Sequence, residues 1–184
     1  MKDVILISEI FGPTVQGEGP LVGRPTVFVR TGGCDYRCAW CDTLYAVLPE
    51  HRGEWVLMTP AEIETRIDEL TGDKPVLLTL SGGNPALQPL APLIELGHAK
   101  GHTFALETQG SVPAPWFTEL GWLILSPKPP FQPVRIRVVI PLSFRILSNS
   151  VLKKRSCAYD CITGSLAAGA TCISHFESVG PRVE

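Results

Sequence analysis

Four short apolar runs constrain this chain more than any other feature of its sequence. They are Thr26-Val27-Phe28-Val29, Val76-Leu77-Leu78-Thr79-Leu80, Thr103-Phe104-Ala105-Leu106 and Trp122-Leu123-Ile124-Leu125. Each is continuously apolar rather than alternating, which suits strands covered on both faces, as in a parallel sheet. Helical segments separate them. The clearest opens at Thr59-Pro60-Ala61-Glu62, where Thr59 can cap, Pro60 takes the first helical position and Glu62 completes a capping box ahead of Ile63, Ile67 and Leu70. A second spans roughly residues 90 to 100, ends at Gly101, and keeps Pro92 in its first turn, where a missing N–H is tolerated.

Strand, helix, strand at this pitch predicts βα units and a mainly parallel sheet, an α/β fold closed as a barrel or left partly open. In 184 residues it fits one domain with at most an appendage. With 45% apolar residues and four Trp the chain can bury a core, which excludes a wholly disordered protein. The segments after the four strands are Gly32-Gly33-Cys34, Ser81-Gly82-Gly83-Asn84-Pro85, Glu107-Thr108-Gln109-Gly110 and Ser126-Pro127-Lys128. In a parallel α/β architecture these carboxyl ends share one rim, where ligands bind.

The strongest chemical signal sits on that rim. Cys34, Cys38 and Cys41 make a C-x3-C-x2-C spacing directly after a strand and a Gly-Gly pair. Three thiolates on so short a loop can converge on one soft metal centre. A closed zinc site or a simple electron-transfer [4Fe–4S] cluster needs four protein ligands, so a trio suits a cluster with one open iron. That iron can chelate S-adenosylmethionine, whose reductive cleavage gives a 5′-deoxyadenosyl radical. Zinc with His51 as a fourth donor, or free thiols, are the alternatives that the spacing leaves open. Six cysteines read as thiolates for metal or redox chemistry, since a cytoplasmic, reducing location is expected: Met1-Lys2-Asp3 lacks a leader's basic start, and no apolar run approaches the ~20 residues of a membrane span. A net charge of −2 without a long Lys/Arg block gives no reason to expect nucleic acid or a membrane as partner.

From about Glu9 to Pro130 the sequence resembles the radical S-adenosylmethionine superfamily and, within it, the 7-carboxy-7-deazaguanine synthase family. The resemblance is carried by residues 11–20 (FGPTVQGEGP), 28–34 (FVRTGGC), 40–43 (WCDT), 81–85 (SGGNP) and 126–128 (SPK). It implies a partial parallel β/α barrel of the radical S-adenosylmethionine type. It also implies a lyase that converts 6-carboxy-5,6,7,8-tetrahydropterin to 7-carboxy-7-deazaguanine with loss of ammonia, in queuosine and deazapurine biosynthesis, a tRNA modification pathway. Cys34, Cys38 and Cys41 would hold the [4Fe–4S] cluster and Thr43 would meet Mg2+. Trp40, Asp42, Gly83, Ser126, Pro127 and Lys128 would bind S-adenosylmethionine. Val15, Gln16, Gly17, Glu18, Arg30 and Ser81 would bind substrate, with Arg30 on the carboxylate. The implied partners are a flavodoxin-type reductant and a second copy in a homodimer. Glu107 and Gln109 face the same rim in a supporting part.

Without the resemblance these residues have plainer readings. Trp40 would pack in the core, Arg30 would form a structural salt bridge, and Lys128 would be a solvated surface lysine. Residues 16–18 would form a turn, and Asp42 or Thr43 would cap a helix. A glycyl-radical activating enzyme shares the cysteine spacing without needing Gln16, Glu18 and Arg30, and an inactive zinc-binding protein is the remaining alternative.

The resemblance stops at the Pro129-Pro130 pair. Residues 1–130 carry nine basic and fifteen acidic side chains, whereas residues 131–184 carry seven and three. The expectation is a core over 1–130 and an atypical tail over 131–184, poorly ordered or shifted in reading frame near Phe131. The tail has two weak strand candidates, 134–140 and 143–147. Its cysteines Cys157, Cys161 and Cys172 are too widely spaced for a convincing second cluster.

Overall fold

The computed structural model describes residues 3–128 and the strand at 146–148. One seven-stranded sheet contains β1 (Ile5–Val15), β2 (Pro25–Thr31), β3 (Val56–Met58), β4 (Leu77–Gly82), β5 (Thr103–Thr108), β6 (Trp122–Leu125) and β7 (Ile146–Ser148), in the order β3-β1-β2-β4-β5-β6-β7. From β2 to β7 all neighbours are parallel, and β1 lies antiparallel between β2 and β3. This is the expected α/β partial barrel, with an antiparallel margin that the sequence reading did not anticipate. Among the described residues no helix is long and apolar enough to cross a membrane.

Two helices, α1 (Pro60–Thr71) and α2 (Ala91–Ala99), cover one face of the sheet. Helix α1 starts as expected: the Thr59 side chain accepts from the Glu62 N–H, and Glu62 reaches back to the Thr59 N–H. It ends at Gly72, whose left-handed φ of 63° suits a residue without Cβ. Ile63 and Ile67 of α1, with Leu93 and Ile94 of α2, pack on Val27, Val29, Leu78, Leu80, Phe104, Leu106 and Leu123, all essentially buried. Burying each such side chain is worth about 2 kcal/mol, so this layer is the main favourable contribution to the fold.

Because side chains alternate along a strand, the residues between these core positions point to the opposite face. There Thr26 meets Thr79, hydroxyl to hydroxyl, at 2.8 Å. Above them toward the carboxyl ends come Arg30, Ser81 and Glu107, so the apolar layer on one side fixes which polar residues appear on the other. Two strands had no counterpart in the sequence reading. In β1 the pairing shifts between Ile7 and Glu9 and again between Phe11 and Thr14, which breaks the alternation that would have revealed it. β3 has three residues and two of them, Val56 and Leu57, are exposed. Strand β7 overlaps the candidate at 143–147. The candidate at 134–140 and Cys157, Cys161 and Cys172 lie outside the described residues.

Candidate active site

The strand ends and the cysteine loop enclose a cavity of about 490 Å³. Its lining brings together nearly every residue singled out from sequence: Gln16, Gly17, Glu18, Arg30, Cys34, Cys38, Trp40, Cys41, Asp42, Thr43, Ser81, Gly83, Ser126 and Lys128. Val15 and Pro127 do not line it, and Val15 is 58% exposed. Phe28 and Ile124 supply apolar wall.

The three cysteines are unpaired and half-buried. The Cys34 sulfur accepts from the Tyr36 backbone N–H at 3.4 Å and lies 3.7 Å from the Gln109 amide nitrogen. Burial pushes the Cys34 thiol pKa up, with the charges at Asp35 and Cys38 adding to it, while the two donors oppose the rise. A bound cation removes that proton, so the site suits a thiolate-binding metal group. His51 instead pairs with Glu54 at 2.9 Å and does not line the cavity, which leaves it apart from the cysteine trio.

Backbone closeness explains the glycines beside the loop. A Cβ on Gly83 would lie 2.0 Å from the Gly33 carbonyl oxygen, and Asn84 N–H donates to that same oxygen at 2.8 Å. The β4 end and the cysteine loop thus touch through main chain, a contact that side chains would prevent. Trp40 is 64% exposed over the cavity, which corrects the plain reading of it as a core residue. The Thr43 hydroxyl donates to Asp42 at 2.7 Å, placing two hard oxygen donors side by side on the lining.

On the opposite side, the pleat and register aim Arg30, Ser81 and Glu107 at one point. Arg30 pairs with Ser81 across β2 and β4, and the Ser81 hydroxyl donates to Glu107 at 2.8 Å. Gln16, 1% exposed, donates from its amide nitrogen to the other Glu107 oxygen at 2.8 Å, while its carbonyl oxygen accepts from the Glu18 N–H at 3.0 Å. The Gln16 amide orientation is thereby fixed by both of its ends. Burial pushes the Glu107 carboxyl pKa up, against the Ser81 and Gln16 hydrogen bonds that lower it.

Arg30 does form an ion pair, with Glu9 at 3.1 Å, and also donates to the Tyr45 hydroxyl, which in turn donates to Glu9 at 2.6 Å. Its guanidinium lies against the Phe11 and Tyr45 rings. The structural ion pair expected on plain grounds is thus present, and Arg30 also lines the cavity. Sequence reasoning missed Glu9, Tyr45, Asp35 and Asn84. Glu9 was hidden by the broken alternation of β1, and Tyr45 by distance along an irregular loop.

A parallel strand array with a cysteine loop after its first strand and a glycine pair after the next defines the class. The Radical SAM superfamily matches residues 28–121, half of the chain, and this protein belongs to it. The chain is 46% identical over 131 residues to the 7-carboxy-7-deazaguanine synthase of Bacillus subtilis (strain 168), covering 71% of this chain and 54% of that protein. It is 38% identical over 143 residues to the enzyme of the same name from Hyperthermus butylicus, covering 74% and 56%. The crystal structure of QueE from Escherichia coli superposes with a TM-score of 0.60 at 26% identity, over 73% of this chain and 62% of that one. The chain spans about half the length of the curated relatives it matches. Superfamily membership implies a [4Fe–4S] cluster and S-adenosylmethionine, and the thiolate trio, the main-chain cradle at Gly83 and the polar Ser126–Lys128 edge suit them.

Proposed function

We propose that this chain is a 7-carboxy-7-deazaguanine synthase, a lyase that contracts 6-carboxy-5,6,7,8-tetrahydropterin to 7-carboxy-7-deazaguanine with loss of ammonia. The supporting observation is that one cavity gathers two donor sets. Cys34, Cys38, Cys41, Gly83, Ser126 and Lys128 line it together with Gln16, Glu18, Arg30, Ser81 and Glu107. When bound, the cluster with S-adenosylmethionine supplies the hydrogen-abstracting radical chemistry.

This chain's own residues bind and orient. Arg30, held by Glu9 and Tyr45, offers its remaining guanidinium N–H groups to the substrate carboxylate, a geometry that lysine does not reproduce. Gln16, Glu18 and Glu107 present acceptors and donors to the edge of a pterin ring. Ser126 and Lys128 would hold the cofactor carboxylate, Trp40 would serve its adenine, and the Gly83 main chain would accommodate its amino end. Asp42 would contribute to the same cofactor site. Phe28 and Ile124 give the cavity an apolar wall that would help keep water from a radical step. Thr43 would supply an oxygen to Mg2+ at the substrate. A flavodoxin-type reductant and a homodimer complete the proposal, and residues 131–184 are an atypical tail, changed in reading frame near Phe131, from which residues 146–148 add strand β7 beside β6. Translating the other frames of the gene downstream of Phe131 tests the frame change, since absence of family-like sequence in both would reject it.

Anaerobic turnover with carboxytetrahydropterin tests the function. The native chain should form the deazaguanine and release ammonia, and Arg30→Ala should raise KM at least about tenfold through loss of a charged hydrogen bond. Absence of product from a fully loaded native chain would reject it.

A further inference from the structure

Among the described residues, Cys34 is the one cysteine of the trio whose sulfur receives hydrogen-bond donors, from the Tyr36 backbone and from the Gln109 side chain. The Gln109 donor is not free to wander. Its amide nitrogen also donates to the Asp35 carboxylate at 2.7 Å, and the same Asp35 oxygen accepts from Asn84 at 2.8 Å. Asn84 is in turn fixed by Thr108, whose hydroxyl donates to its carbonyl oxygen at 2.9 Å. Asn84 is fully buried, Thr108 and Gln109 nearly so, and the chain of contacts crosses from β5 to the loop after β4 and on to the cysteine loop.

A buried polar network of this kind carries more than packing. A donor on a ligating sulfur stabilises the extra negative charge of a reduced cluster, whereas a nearby carboxylate opposes it. We propose that Gln109, aimed by Asp35 and Asn84, is a positioning residue that raises the reduction potential of the cluster through its N–H···S contact to Cys34, and that the Asp35 carboxylate lowers it. The inference rests on the cluster assignment made above, but not on the identity of the substrate. It gives opposite signs to two residues that touch each other, which a clamp for the cysteine loop would not do.

The test is a redox titration monitored by electron paramagnetic resonance on the anaerobically reconstituted full chain, without substrate. Gln109→Met keeps length and packing but removes the donor, and should shift the cluster to a more negative potential. The expected size is about a tenfold smaller ratio of reduced to oxidised cluster at a fixed potential, about 59 mV for a one-electron couple. Asp35→Asn keeps an acceptor for Gln109 but removes the charge, and should shift the potential the other way. Unchanged potentials, or shifts of the same sign, would overturn the proposal. If Gln109→Met does not retain iron, Gln109→Leu, likewise uncharged and without a donor, is read instead with the same negative shift expected. Loss of the cluster from both Gln109 variants, while the native chain keeps it, would also overturn the proposal by making Gln109 a folding residue. A native chain that binds no iron would instead strike at the cluster assignment itself.

Discussion

Gln16 and Glu107 stand 91 positions apart in sequence and 2.8 Å apart in space, amide nitrogen to carboxylate oxygen. The contact joins the antiparallel margin of the sheet to its parallel centre and places a carboxylate beneath the glycine-rich loop. Burial has raised the Glu107 pKa, so its negative charge is complete only above the usual carboxylate range. Pterin binding that uses this carboxylate should weaken as pH falls through the raised value. Equilibrium binding of carboxytetrahydropterin across pH should show that acid limb in the native chain and lose it in Glu107→Gln. Identical profiles would remove Glu107 from the substrate site.

Gly83→Ala should be severe. Its Cβ would meet the Gly33 carbonyl at 2.0 Å, backbone against backbone, and neither partner can rotate away. Overpacking of this kind costs about 1–3 kcal/mol, and here the shift falls between the cysteine loop and the β4 end. Denaturant unfolding should show the loss, and iron retention after desalting should drop with it. Native-like values in both would mean that the loop moves freely relative to β4.

Much of this geometry was legible in sequence. The four parallel strands, both helices and the Thr59–Glu62 cap depend on local periodicity and capping, and they appear where expected. Cys34, Cys38 and Cys41 announce themselves by spacing. The Arg30–Tyr45–Glu9 cluster could not be read that way, because it joins a strand with bulges to an irregular loop, and neither has a period. Asn84 reads as a turn residue in SGGNP, and its role as the link between Thr108 and Asp35 emerges only from the register of β4 and β5.

The cap itself gives a clean energetic prediction. Thr59→Ala removes the side chain that accepts from the Glu62 N–H at 3.3 Å and leaves that donor at the helix start without its cap. The expected loss is about 1 kcal/mol in urea unfolding, with the cluster site unaffected. A change below measurement error would mean that tertiary packing alone holds the first turn.

Glu64 should behave in the opposite direction. It is buried on α1, and His102 faces it at 3.4 Å with Lys100 at 3.8 Å, while Asp68 pairs with Lys100. The His102 Nδ1 accepts from the Val76 N–H at 3.1 Å, so Nε2 carries the proton toward Glu64 and is not a donor for a metal. Burial raises the Glu64 pKa and lowers that of His102. The folded state therefore holds the Glu64 proton more tightly than the unfolded chain. That contribution is complete below the ordinary carboxylate range and is lost as pH rises through the raised value. Glu64→Gln should raise Tm by a few degrees at neutral pH, roughly 1 kcal/mol, and the gain should vanish near pH ~4. A gain that persists at low pH would point to packing rather than charge.

Anaerobic reconstitution with iron and sulfide, read by absorption and electron paramagnetic resonance with and without S-adenosylmethionine, bears most directly on the thiolate trio. The native chain should become brown, absorb broadly near ~400 nm, bind about four irons and change its resonance when S-adenosylmethionine is added, whereas Cys34→Ala, Cys38→Ala and Cys41→Ala should each stay colourless. A colourless zinc adduct of the native chain, or a resonance indifferent to S-adenosylmethionine, would contradict an open-cornered cluster on Cys34, Cys38 and Cys41.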